Sequence, residues 1–124
     1  MKIAAIIVRS LMGLMFLFAS ITFLFKLFTP PPLQGQMKVF MDGMEASVYM
    51  LPTVKMIELL CGLMFISGKF VRLATVVIFP IVVNIVLVHV FLEPSGLAVA
   101  IPLALGNLFL AYYYRDSYKP LFQA

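Results

Sequence analysis

From Pro52 to Gly68 the chain reads PTVKMIELLCGLMFISG, an apolar run that nevertheless carries Lys55 and Glu58. Read as a membrane helix, it places two ionisable groups where each costs about 2.5–3.5 kcal/mol at the bilayer centre. A cost of that size demands a compensating partner. Lys55 and Glu58 stand three residues apart and so share a helix face, where each partly neutralises the other. Gly62, four beyond Glu58, continues that face with a gap into which another helix fits. The other segments are therefore expected to pack around this face.

Hydrophobic residues fill 64% of the 124 positions and charged ones 11%, against roughly 45–50% and 25% in soluble domains. Lipid is the solvent for most of such a chain, and a single integral-membrane domain over 1–124 is expected. The net charge of +4 does not mark a nucleic-acid binder, because the basic residues stand singly at the ends of apolar runs rather than in a patch. Cys61 is the only cysteine, which excludes an intrachain disulfide and a CxxC pair. Inside an apolar run it reads as a small inert hydrophobe. One histidine and one cysteine on separate runs make a poor ligand set for zinc or heme, so no metal is expected.

Taken in order, the chain predicts an all-α four-helix membrane bundle with spans at 3–25, 52–68, 71–92 and 97–114. In the first, Arg9 interrupts what would be the heart of a signal peptide and the apolar run continues past Ser20, so a retained helix is expected. Arg9, Gly13, Phe16 and Ser20 recur at helical spacing as a stripe for facing other helices; for Arg9 itself, snorkelling to the nearby surface is the open alternative. Lys26 closes this span, and Thr29-Pro30-Pro31-Pro32 forbids its continuation. Between 33 and 48, Met37, Phe40, Met41, Met44 and Val48 follow helical spacing while Gln36, Lys38, Asp42 and Glu45 fall mostly elsewhere. This predicts a short amphipathic helix on the membrane surface or capping the bundle.

In the third span Pro80 frees a backbone carbonyl and predicts a kink, and Asn84 is expected to hydrogen-bond across to a neighbouring helix. In the fourth, Ala100, Ala104, Asn107 and Ala111 form a small, partly polar packing stripe, and Tyr112 to Tyr114 suit a headgroup-level belt.

Four crossings put both termini on one side. Lys2, Arg9, Lys69, Arg72, Arg115 and Lys119 gather there, against Lys26, Lys38 and Lys55 opposite, and six against three places the termini in the cytoplasm. Glu58 then lies about 9 Å in from Pro52 and His89 about 6 Å in from Glu93, at a shared level near the outer face. Lys26, Lys55, Glu58 and His89 are accordingly the candidate ligand-binding residues, suited to an anion, a quinone headgroup or a proton relay. Simple pairing or hydration of these groups is the alternative.

Arg9 with Gly13 and the Phe-rich run to Lys26, the loop helix, Glu58 with Gly62-Leu63 and Gly68, then Arg72-Leu73-Ala74, Asn84 and His89 together resemble the DoxX/DoxD-type four-helix membrane proteins. The resemblance implies a bacterial cytoplasmic-membrane protein. In that family some members serve as membrane subunits of thiosulfate:quinone oxidoreductase and others associate with thiol-stress and superoxide-detoxifying partners. With one cysteine, self-contained thiol chemistry is not expected, and the chain is expected not to be an enzyme on its own.

Two functions follow as expectations. One is an accessory subunit of a redox- or quinone-linked process, with quinone as the candidate cofactor. The other is a ligand-free scaffold whose Met-rich loop docks another membrane or extracytoplasmic protein, or a second copy, within the lipid.

Overall fold

The computed structural model describes residues 2–26 and 34–123. The proline break predicted at 29–32, and position 33 at the start of the predicted surface helix, lie outside the described residues. Every regular element described is helical: α1 (Lys2–Leu24), α2 (Gly35–Ala46), α3 (Met50–Ser67), α4 (Val71–Phe91), a 3-10 turn (Pro94–Gly96), α5 (Leu97–Tyr113), α6 (Arg115–Tyr118) and a second 3-10 turn (Lys119–Phe122). Four segments, α1, α3, α4 and Pro94–Tyr113, are long and apolar enough to cross a membrane.

Local chemistry sets the boundaries. α3 begins at Met50, two residues before the predicted start. Pro52 is accommodated in the first turn, where a missing N–H breaks no intrahelical bond. Ser47 Oγ accepts from the Met50 N–H at 3.1 Å and fixes the entry into this helix. At the other end Gly68 adopts a φ of +78° and donates its N–H to the Met64 carbonyl at 3.0 Å, so α3 stops there and α4 can start at Val71. α2 is shorter than predicted at its C-terminal end. Val48, placed on its apolar stripe by spacing, instead lies beyond the helix with a φ of +73° and is exposed.

The spans alternate in direction, and α1, α3, α4 and α5 follow one another around the bundle, with α5 returning to α1. The α1–α3 seam is the tightest. A Cβ built on Gly13 would stand 2.7 Å from Ile66 Cγ1 and 3.0 Å from the Gly62 carbonyl oxygen, and one on Gly62 would stand 3.0 Å from Leu17 Cγ. Two glycines thus let two helices approach where any other residue would hold them apart. The predicted stripe is the buried one: Gly13, Phe16 and Ser20 are enclosed, and Phe16 stacks on Phe65 at 6.3 Å between centroids. Ser20 satisfies its hydroxyl on the Phe16 carbonyl at 2.7 Å.

Arg9 turns inward. Its guanidinium donates to the carbonyls of Phe65 and Ile66, in the last turn of α3, where no further helical N–H follows to meet them. Asn107, on the packing stripe of α5, is fully buried and donates Nδ2–H to the Thr75 carbonyl of α4 at 3.3 Å. Thr75 in turn donates its hydroxyl to the Val71 carbonyl at 2.8 Å. Beyond α5, the Tyr118 hydroxyl donates to the Arg72 carbonyl at 2.8 Å and ties α6 to the start of α4.

Candidate functional site

α2 lies over one end of the bundle and packs on α3. Its helical spacing puts Met37, Phe40, Met41 and Met44 on one side, and these four line a cavity of about 520 Å³ together with residues of α1, α3 and α4. Gln36, Lys38, Asp42 and Glu45 are exposed, and the Lys38 ammonium meets the Asp42 carboxylate at 2.8 Å on that outer surface. Asp42 holds the Lys38 amine above its ordinary value, an effect confined to the exposed face.

Among the described residues, the titratable side chains lining this cavity are Lys55, Glu58 and His89. Glu58 is buried, with its Oε2 3.3 Å from Lys55 Nζ, and the ammonium also lies 5.7 Å from the centre of the Phe23 ring of α1. The predicted pairing of i and i+3 is thus formed. It spares the helix two isolated charges in a low-dielectric surround.

His89 comes from the last turns of α4. Its Nδ1 lies 3.2 Å from the carbonyl oxygen of Glu93. A carbonyl can only accept, so this contact places the proton on Nδ1. In the neutral ring Nε2 is then an acceptor, and in the imidazolium both nitrogens donate. The other face of the ring is set by Gly96, where a Cβ would stand 2.2 Å from Nδ1. Only a glycine leaves room for the imidazole in this position.

Two expectations change. Lys26 does not join the cluster: it sits in the left-handed turn after α1, with a φ of +52° and an exposed side chain, and α1 presents Phe23 to the cavity instead. Asn84, expected to bridge to a neighbouring helix, is exposed and lines the same cavity, with no hydrogen-bond partner among the described residues. It sits one turn beyond Pro80, also a lining residue, and α4 continues as a helix through that proline.

The chamber therefore has walls of Met, Phe, Leu, Val and Ile, with a cation, a carboxylate, an imidazole and an amide on its α3 and α4 sides. Chemically it offers donors from Lys55 and Asn84 and acceptors from Glu58 and Asn84, with His89 able to serve as either. Flexible Met side chains fit a flat apolar ring without demanding one shape.

A bundle of four membrane-spanning helices with a polar chamber under an amphipathic cap defines a multi-pass membrane protein. The family model described as DoxX matches residues 4–90, well over half of the chain, from the first turn of α1 to just past His89, and the protein belongs to the DoxX family. Neither a curated protein nor a solved structure matches it.

Proposed function

We propose that this DoxX-family protein is a non-catalytic accessory subunit of a redox- or quinone-linked membrane process, holding a quinone headgroup in the chamber beneath α2. One observation carries the reading: Lys55, Glu58 and His89, from two different spans, line a single cavity whose other walls are apolar apart from the Asn84 amide. Lys55 supplies a donor for a quinone oxygen, and Glu58 and His89 supply acceptors for the hydroxyls of the reduced form. The excess of Lys and Arg at the opposite end of the bundle supports an orientation with the chamber near the outer face and both termini inside, and membership of the DoxX family supports a bacterial cytoplasmic membrane as the setting.

The test is quinone binding by the full chain in neutral detergent. Co-purified quinone is extracted and quantified, and a short-chain quinone is titrated against intrinsic tyrosine fluorescence. Saturable binding that falls about tenfold or more in Glu58→Gln and His89→Ala, but not in the exposed-face variant Glu45→Gln, supports the reading; tenfold corresponds to ~1.4 kcal/mol, the scale of one hydrogen bond to a charged group. Absence of any saturable binding, or parental binding by Glu58→Gln, removes it.

A scaffold role is the second reading, favoured by the exposure of Val39, Val48 and Tyr49 in and beside α2. Replacing 36–48 with a Gly/Ser linker then disrupts a membrane complex in mild detergent while leaving the four spans folded.

A further inference from the structure

At the other end of the bundle a second cavity, of about 540 Å³, opens between the start of α1, the α3–α4 turn and the segment that follows α5. Three cations line it: Lys2 and Arg9 from α1, and Arg72 from α4. Asp116 is also in the wall, but its carboxylate is held by Lys119 at 3.0 Å. Positive charge therefore dominates the enclosure.

The arginines are held in place. Arg9 is fixed by the carbonyls at the end of α3, and Gly68 leaves room for it, since a Cβ there would stand 3.1 Å from Nη2. The guanidinium carbon of Arg72 lies 4.8 Å from the centre of the Tyr114 ring. Three like charges facing one cavity repel one another, and a multivalent anion would relieve that repulsion. An orientation signal needs these residues only on one side of the membrane, not around one cavity.

Depth adds to the case. All four spans end here, and Arg9 lies about 10 Å further into α1 than Lys2 at 1.5 Å per residue. The cations thus run from the bundle end inward along the spans, with Tyr113 and Tyr114 beside them, and a bilayer around the four spans would bring its headgroup phosphates to this end. We infer that this cavity binds a phosphate-bearing anion through Lys2, Arg9 and Arg72. A phospholipid headgroup and free phosphate share the chemistry that these side chains recognise. The inference does not depend on the quinone reading.

The test uses the full chain in neutral detergent. Bound lipid is counted by native mass spectrometry after incubation with phosphatidylglycerol or phosphatidylcholine. Thermal unfolding is followed in sodium phosphate and in sodium chloride of equal ionic strength. Lys2→Gln, at an exposed helix start, and Arg72→Gln each remove one cation from the cavity; Lys69→Gln removes one from the same side outside it. Preferential retention of phosphatidylglycerol that drops about fivefold in Lys2→Gln and Arg72→Gln, but not in Lys69→Gln, supports a headgroup site. A phosphate-specific rise in the unfolding midpoint that the same two variants abolish, without a lipid preference, supports the site with free phosphate as its source. Equal retention of both lipids with no phosphate effect overturns the inference, as does parental anion binding by a folded Lys2→Gln.

Discussion

The α-carbon of Gly96 lies against the imidazole of His89, so close that a Cβ at position 96 would stand 2.2 Å from Nδ1 and 2.3 Å from Cε1. With a φ of −84°, the backbone at 96 would accept any residue, and the restriction is entirely steric. Gly96→Ala is expected to displace the ring, break its contact with the Glu93 carbonyl and destabilise the protein by about 1–3 kcal/mol. Nitrogen chemical shifts of the single histidine check the displacement directly. Unchanged shifts together with an unchanged unfolding midpoint would refute the prediction.

The α1–α3 seam makes a graded test of glycine in this bundle. Gly13 has Ile66 and the Gly62 backbone within the reach of a Cβ, whereas nothing lies within 4 Å of one on Gly43 of α2. Gly13→Val should cost about 1–3 kcal/mol through overpacking. Gly43→Ala should instead favour its helix by about 0.5–1 kcal/mol, because it only removes backbone freedom. Unfolding midpoints in one detergent rank the two against the parent.

Arg9→Leu tests whether hydrophobicity alone governs the first span. The substitution makes α1 more apolar, yet it strips the Phe65 and Ile66 carbonyls of their donor at the end of α3. Loss of stability by about 1–3 kcal/mol is expected despite the better hydropathy. Faster amide exchange confined to 65–70 would locate the effect at the α3–α4 turn.

Much of this was legible in the sequence, because the bilayer simplifies the code. Apolar length marks the four spans, and a rise of about 1.5 Å per residue with alternating direction is enough to bring Glu58 and His89 to one chamber. Gly13, Phe16 and Ser20 could be assigned to a packing face by spacing alone. What escaped depends on local turns or on non-local contact. Lys26 belongs to the right end of α1, but a left-handed turn carries its side chain elsewhere. Spacing placed Asn84 in a span without fixing which way it faces. Thr75 lies inside an apolar run, and its carbonyl becomes the partner of Asn107 only once α4 and α5 are packed. The segment after α5 has four helical residues and no apolar periodicity, so the bond from Tyr118 to Arg72 left no trace in the pattern.

That bond gives a pH dependence with a definite sign. Burial raises the Tyr118 phenol above its ordinary 10.0. The folded form therefore prefers the protonated hydroxyl, which is also the form that can donate to the Arg72 carbonyl. Its contribution is fully present below pH 10 and is lost as pH rises through the folded-state value. The unfolding midpoint should fall relative to that of Tyr118→Phe only in that alkaline range. Tyr118→Phe should remove the dependence and cost about 1 kcal/mol at neutral pH.

The Lys55–Glu58 pair separates stability from binding. Glu58 is buried while Lys55 remains 21% exposed at its side chain, so Lys55→Met strands a carboxylate that water reaches poorly. A loss of about 1–3 kcal/mol is expected, smaller than for a wholly enclosed pair because Lys55 is partly solvated. Replacing both residues, Lys55→Met with Glu58→Leu, removes the stranded charge and should restore most of the stability. The same double variant leaves the chamber without its ammonium and carboxylate. If these groups are present for a ligand, the restored fold will have lost its quinone binding. If they serve only to neutralise one another, the double variant will bind as the parent does, and a titration on a protein of parental unfolding midpoint distinguishes the two.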